Sequence, residues 1–147
     1  MNVNDPFSNF LIPASDPFNT SLPEILNRVP AGFPSPADDY MENSLDLNEH
    51  LIRNKAASFY IRVAGDSMNG AGIMSGDILL VDRSVDPAHN KIVVAIVDSE
   101  MTVKRLRYSQ DRVFLVSENP EFRPIEITRH MDCRIWGVVT AVIRKLI

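Results

Sequence analysis

The chain has 147 residues, 45% of them apolar, and a formal net charge of −4. That length provides one modest domain with material for a core, and the acidic balance argues against direct, specific DNA binding. No apolar run reaches the roughly 18–20 residues that span a membrane, so no membrane association is expected. The N-terminus lacks a leader pattern, and the single cysteine, Cys133, cannot form an internal disulfide. Both features favour a cytoplasmic protein.

Residues 1–36 differ in composition from the rest, because they hold seven of the ten prolines. Proline removes a backbone donor and interrupts helices and sheets, so we expect a largely irregular N-terminal arm. Only Leu22–Arg28 has the pattern of a helical turn, with Ser21 as its N-cap and Pro23 at the first position. The arm also carries apolar side chains, which favour docking on a surface: Phe7, Phe10, Leu11, Phe18, Leu22, Ile25, Leu26 and Phe33.

Residues 38–54 are predicted to form a connection with a short helix near Asp46–Ile52. Short apolar runs separated by turn residues follow, a pattern that predicts a compact, mostly antiparallel β domain. The predicted strands are Phe59–Val63, Ile78–Val81, Ile92–Val97, Met101–Leu106, Val113–Val116, Ile125–Ile127 and Ile135–Ile143. The expected organisation is therefore an arm over 1–31, a linker with a short helix over 32–57, and a β-rich domain over 58–147.

Ser67 and Lys104 are the candidate chemical groups. Ser67 lies in a small-residue turn after the first predicted strand, and Lys104 lies within the fourth. A serine becomes a nucleophile when a base takes its proton, and a lysine can be that base when burial lowers its pKa. Strand alternation would place Lys104 on one face with Thr102 and Leu106. Taken alone, these two residues also fit a turn serine and a solvated surface lysine.

A set of motifs, in order along the chain, resembles the LexA/UmuD family of self-cleaving serine peptidases, with the UmuD-type members the closer match. The motifs are the run from Ala31 to Tyr40, Leu45-Asp46-Leu47-Asn48, Gly65-Asp66-Ser67-Met68, the run from Ser75 to Asp82, Thr102-Val103-Lys104 and Trp136-Gly137-Val138-Val139. The resemblance covers residues from about Ala31 to the end. At the position before Gly32, alanine follows the LexA-type pattern, whereas a cysteine is common in UmuD-type sequences.

The resemblance implies a peptidase domain of the LexA/UmuD type with a Ser/Lys dyad. Ser67 is then the nucleophile and Lys104 the general base, and the backbone amides of Asp66 and Ser67 hold the oxyanion. It also implies one scissile bond in the chain's own arm, between Ala31 and Gly32. No cofactor or metal is implied, and His50, His89 and His130 have no partners at metal-ligand spacing.

The resemblance further implies a precursor whose self-cleavage is stimulated by a RecA filament on single-stranded DNA during the SOS response. The processed chain would be a homodimer that binds a UmuC-like DNA polymerase subunit in error-prone translesion synthesis. A LexA-type repressor is not expected, because the 31 proline-rich residues before Gly32 leave no room for a helix-turn-helix domain. The alternative is a non-catalytic dimeric adaptor that binds RecA and the polymerase without cleavage.

Overall fold

A computed structural model describes residues 20–26, 28–34 and 42–147. The chain divides into two compact units, residues 1–50 and 51–147. The expected docking residues Phe7, Phe10, Leu11 and Phe18 lie outside the described residues. Among the residues described, no helix combines the length and apolar character needed to cross a membrane. The predicted boundaries at residues 31 and 57 stay predictions.

The first unit contains a two-stranded antiparallel sheet of β1 (Leu22–Ile25) and β2 (Glu42–Leu45). The prediction of a helical turn over Leu22–Arg28 is therefore wrong. Pairing with a distant strand satisfies the backbone of β1, and each strand of a two-stranded sheet is an edge, where the missing N–H of Pro23 is tolerated. The short helix expected near Asp46–Ile52 is confirmed as α1, Leu47–Leu51.

A seven-stranded antiparallel sheet dominates the second unit, and it confirms the predicted β fold. All seven predicted strands are present, although several of their ends differ by a few residues. Their order across the sheet is β3-β4-β9-β5-β6-β7-β8, so the last strand of the chain lies near the middle. The strands are β3 (Ser58–Arg62), β4 (Ile78–Asp82), β5 (Ile92–Val97), β6 (Glu100–Ser109), β7 (Arg112–Val116), β8 (Ile125–Ile127) and β9 (Cys133–Ile143).

Strand β5 is covered on both faces, which explains why its sequence is apolar at every position. Val94 belongs to one buried cluster, with Met68, Leu79 and neighbouring side chains. Val93 and Ala95 belong to a second cluster on the opposite face, with Leu106, Leu115 and Val138. Because alternate side chains of a strand point to opposite faces, a strand buried on both sides loses the usual apolar–polar alternation.

Strand β9 packs closely on β4 at Gly137. A Cβ atom at this position would lie 2.5 Å from Val81 Cγ1 and 3.3 Å from the carbonyl oxygen of Asp82. Val81 is fully buried, so its side chain has little room to move aside. Glycine therefore permits the approach of β4 and β9 that holds the centre of the sheet.

Gly137→Ala should lower the free energy of unfolding by about 1–3 kcal/mol, because the added methyl group overpacks a filled site. Thermal and urea unfolding would measure the change. Gly32→Ala is the matched control, since a Cβ there meets nothing within 4 Å. Equal stability of Gly137→Ala and the wild type would contradict the packing argument.

Candidate active site

Ser67 lies on the loop of residues 63–77, the Ser67 loop, which joins β3 to β4. Gly65 has a positive φ of 94°, a conformation that glycine adopts without the strain of a side chain. Immediately after the serine, Met68 is 2% exposed, and Ile73 further along is 1% exposed. Both side chains pack in the first cluster, so they anchor the loop to the core.

Asp77 closes the neck of the Ser67 loop. Val63 N donates to the Asp77 carbonyl oxygen at 2.9 Å, and Gly76 N donates to the Val63 carbonyl oxygen at 2.8 Å. The buried Asp77 carboxylate accepts a hydrogen bond from Met74 N at 2.7 Å. Arg144 donates to both of its oxygens, from Nε at 2.6 Å and from Nη2 at 2.5 Å. The guanidinium of Arg144 holds the pKa of Asp77 at about 2.

Lys104 is buried in an apolar row of the sheet. It pairs across the strands with Val93, and Leu106 is two residues further along the same face of β6. The side chain is 8% exposed, and no carboxylate in the described residues forms an ion pair with it. Burial lowers the pKa of Lys104, because removal from water disfavours the charged ammonium.

The structure brings the two candidate residues together. Lys104 Nζ lies 3.0 Å from Ser67 Oγ and 3.2 Å from the carbonyl oxygen of Val103, to which it donates. A neutral amine at hydrogen-bond distance from a hydroxyl can accept its proton as the oxygen attacks a carbonyl carbon. The geometry therefore suits nucleophilic catalysis, whereas the assignment of roles to Ser67 and Lys104 stays a prediction.

The remaining predicted site residues lie in two places. The amides of Asp66 and Ser67 lie in the same turn as the Ser67 hydroxyl, and their use as oxyanion donors stays a prediction. Ala31 and Gly32 are exposed and lie in a bend of the first unit. Phe33, which follows them, is 94% exposed. The cleavage site likewise stays a prediction.

Glu118 and Asn119, which follow β7, connect the Ser67 loop to the part of the sheet that carries Lys104. Gly70 N donates to the Glu118 carbonyl oxygen at 2.7 Å, and Asn119 Nδ2 donates to the Asp66 carbonyl oxygen at 3.0 Å. The Glu118 carboxylate pairs with Arg105, the residue after Lys104. These contacts join segments that are far apart along the chain, so no local sequence pattern indicates them.

A cavity of about 620 Å³ opens beside Lys104. Its lining combines apolar side chains with charged and hydroxyl groups. Ser117 is among the lining residues; it is 8% exposed, and its Oγ has no hydrogen-bond partner. Sequence reasoning missed Ser117. The lining residues are Val97, Asp98, Glu100, Met101, Thr102, Lys104, Ser117, Phe122, Arg123, Ile125 and Met131.

Comparison with known proteins gives a consistent family relationship. Residues 23–140 match the profile of the Peptidase S24-like family. The chain is 44% identical over 133 residues to Protein SamA of Salmonella typhimurium strain LT2, covering 90% of this chain and 92% of that protein. It is 47% identical over 124 residues to Protein ImpA of Escherichia coli, covering 84% and 83%. It is 38% identical to the LexA repressor of Pseudomonas chlororaphis over 130 residues, 88% of this chain and 63% of the repressor.

The Asp77–Arg144 pair should make folding stability sensitive to acid. Since the pKa of Asp77 lies at about 2 in the folded protein, below its ordinary value of 3.8, the ionised carboxylate stabilises the fold above pH ~4. That contribution is lost as the pH falls from about 4 to about 2. Asp77→Asn should lower the melting temperature at neutral pH and flatten its fall across this window.

Melting temperatures measured by circular dichroism between pH 2 and pH 7 would test this (roughly one point per half unit of pH). Asp111→Asn, a substitution at an exposed turn, is the matched control and should follow the wild-type curve. An equal slope for Asp77→Asn and the wild type would show that Asp77 does not carry the acid sensitivity.

Proposed function

The chain belongs to the Peptidase S24-like family, and on that premise we propose that it is a self-cleaving serine peptidase with a Ser67–Lys104 dyad. The observation that carries the proposal is the 3.0 Å separation of Lys104 Nζ from Ser67 Oγ. Burial of Lys104 supports it, because a lowered pKa raises the fraction of neutral amine near pH 7. A solvated surface lysine would remain an ammonium and could not act as a base.

The reaction proceeds in two stages through an acyl-enzyme. Ser67 Oγ attacks the carbonyl carbon of Ala31 as Lys104 Nζ takes the hydroxyl proton. The amides of Asp66 and Ser67 donate to the oxyanion of the tetrahedral intermediate. Lys104 then gives the proton to the amine of Gly32, which leaves. Water, deprotonated by Lys104, hydrolyses the Ser67 ester and releases residues 1–31.

The bond between Ala31 and Gly32 suits such a reaction in its local chemistry. Both residues are small, and a Cβ at Gly32 would meet nothing within 4 Å, so the backbone is open to approach. Pro30 and Pro34 disfavour helix on either side, and an extended backbone is the form that peptidases bind. The segment can come from the same chain or from a second copy.

The biological role that we propose is that of a UmuD-type protein in SOS mutagenesis. The motifs shared with the LexA/UmuD family and the similarity to SamA and ImpA support it. A RecA filament on single-stranded DNA stabilises the conformation in which Ala31–Gly32 meets Ser67. Residues 32–147 then form a cytoplasmic homodimer that binds a UmuC-like subunit of an error-prone translesion polymerase.

Self-cleavage should accelerate with pH until Lys104 is fully neutral. The purified chain would be incubated at pH ~7 and pH ~10, and intact masses would be followed over time. Fragments 1–31 and 32–147 should appear faster at the higher pH. Ser67→Ala should give no fragments, and Lys104→Met should slow cleavage by about 10²–10⁴-fold, because the general base is lost.

Addition of RecA filaments at neutral pH tests the proposed activation, and RecA without single-stranded DNA is its control. Cleavage should be accelerated by RecA with single-stranded DNA and not by RecA without it. A wild-type chain that stays intact at both pH values and with filaments would reject the peptidase and favour the non-catalytic adaptor. Undiminished cleavage by Lys104→Met would reject the dyad while leaving self-cleavage in place.

Gly70→Ala tests the contact that ties the Ser67 loop to Glu118. A Cβ at Gly70 would lie 2.5 Å from the Glu118 carbonyl oxygen, so the loop must move away. Cleavage should slow by about 10–100-fold, because small displacements of a nucleophile are costly to rate. Asn69→Ala, an exposed neighbour, is the control and should cleave at the wild-type rate. If Gly70→Ala cleaves at the wild-type rate, the contact between Gly70 and Glu118 does not position Ser67 for the reaction.

A further inference from the structure

Ser117 presents a hydroxyl that the fold leaves unsatisfied. The residue is 8% exposed, and its Oγ has no hydrogen-bond partner. A buried polar atom without a partner destabilises a protein, so such atoms need a specific explanation. Ser117 lines the same cavity as Lys104, which places its hydroxyl on the side of the sheet where the amine lies.

The sheet register supports this placement. Strands β6 and β7 pair Leu106 with Leu115 and Arg105 with Val116. Continued by one residue, the same register sets Ser117 opposite Lys104. Cβ atoms of directly opposed residues lie about 4.5–5.5 Å apart, so a lysine side chain can reach its cross-strand neighbour. A change of the Ser117 rotamer alters where Oγ points without moving the backbone.

The hydrogen-bonding capacity of a neutral lysine amine shows which hydrogen bond of Lys104 still needs a partner. The amine has one lone pair and two N–H groups. For Lys104 to act as a base, the lone pair must face the hydroxyl of Ser67. The carbonyl oxygen of Val103 accepts one N–H at 3.2 Å. The second N–H then needs an acceptor, and in a buried site an unmade hydrogen bond is costly.

We propose that Ser117 is a positioning residue for Lys104. Its Oγ accepts the second N–H of the neutral amine and so aims the lone pair at Ser67. After proton transfer the ammonium donates to three oxygens, those of Ser67, Val103 and Ser117. This role rests on the proposed function, since it concerns the orientation of the base in self-cleavage.

The hydroxyl also affects how Lys104 titrates. Hydrogen bonds to a charged donor are stronger than those to a neutral one, so an acceptor at Ser117 favours the ammonium. Removing Oγ should therefore lower the pKa of Lys104 further than burial alone does. The charged groups that line the cavity or flank the pair are unchanged by the substitution: Asp66, Asp98, Glu100, Arg105, Glu118 and Arg123.

The first experiment titrates Lys104 directly, with ¹³C NMR of the lysine Cε atoms in the uncleavable Ser67→Ala chain. The sequence has four lysines, so few signals need assignment, and Lys104→Met identifies the one of interest. Adding Ser117→Ala to Ser67→Ala should move the midpoint of Lys104 to lower pH. Adding Ser117→Thr, which keeps a hydroxyl, should leave the midpoint near its original position.

The second experiment measures self-cleavage of the full chain as a function of pH. In Ser117→Ala the midpoint of the pH–rate curve should move to lower pH, and the plateau at high pH should fall about 10-fold, because the lone pair is less well aimed. Ser117→Thr should restore both quantities. Ser109→Ala, an exposed serine at the end of β6, is the matched control and should behave as the wild type.

Two outcomes would overturn the inference. If the pH–rate curve of Ser117→Ala has the wild-type midpoint and plateau, the Ser117 hydroxyl has no role in the reaction. A lower plateau with an unmoved midpoint would show a packing effect only. If the wild type never cleaves, the proposed function fails, and the NMR titration still decides whether Ser117 contacts Lys104. Ser117→Cys, whose thiol is a weaker acceptor, replaces Ser117→Ala if that chain does not fold.

Discussion

The site depends on an amine that is kept from water without a compensating negative charge. Lys104 occupies a position that an apolar residue would otherwise fill, between Val93 on the neighbouring strand and Leu106 on its own. An ammonium there loses hydration and gains no ion pair within the described residues, so the pKa of Lys104 is lowered. The apolar side chains around Lys104 therefore set the protonation of the amine that lies beside Ser67.

Asp77 is a second buried ionisable group, and, in contrast to Lys104, its charged form is stabilised by its surroundings. Asp77 is 2% exposed, yet it keeps its charge because Arg144 and the amide of Met74 surround the carboxylate with donors. The pKa of this acid is depressed by its partners, and the pKa of Lys104 is depressed by the lack of them. Asp77 holds the neck of the Ser67 loop, and Lys104 lies beside the Ser67 hydroxyl with a lowered pKa.

Much of this fold could be predicted from sequence, because apolar runs and turn residues mark each strand of the large sheet. The strands β1 and β2 could not, since their pairing joins Leu22–Ile25 to a distant segment and the β1 side chains are exposed. In the site, the local context of Ser67 and Lys104 was recognisable from motifs. The contacts of Glu118 and Asn119, and the unsatisfied hydroxyl of Ser117, arise only when remote segments meet, so no local pattern encodes them.

The position of β9 has a consequence for the order of events during synthesis. The Ser67 loop belongs to the β3–β4 side of the sheet and Lys104 to the β5–β8 side, and β9 is the strand that joins β4 to β5. Strand β9 is synthesised after the other six strands of the sheet. Until then, a nascent chain lacks the hydrogen bonds through which β9 joins β4 to β5. The sheet that supports both Ser67 and Lys104 is therefore complete only once translation has passed Cys133–Ile143.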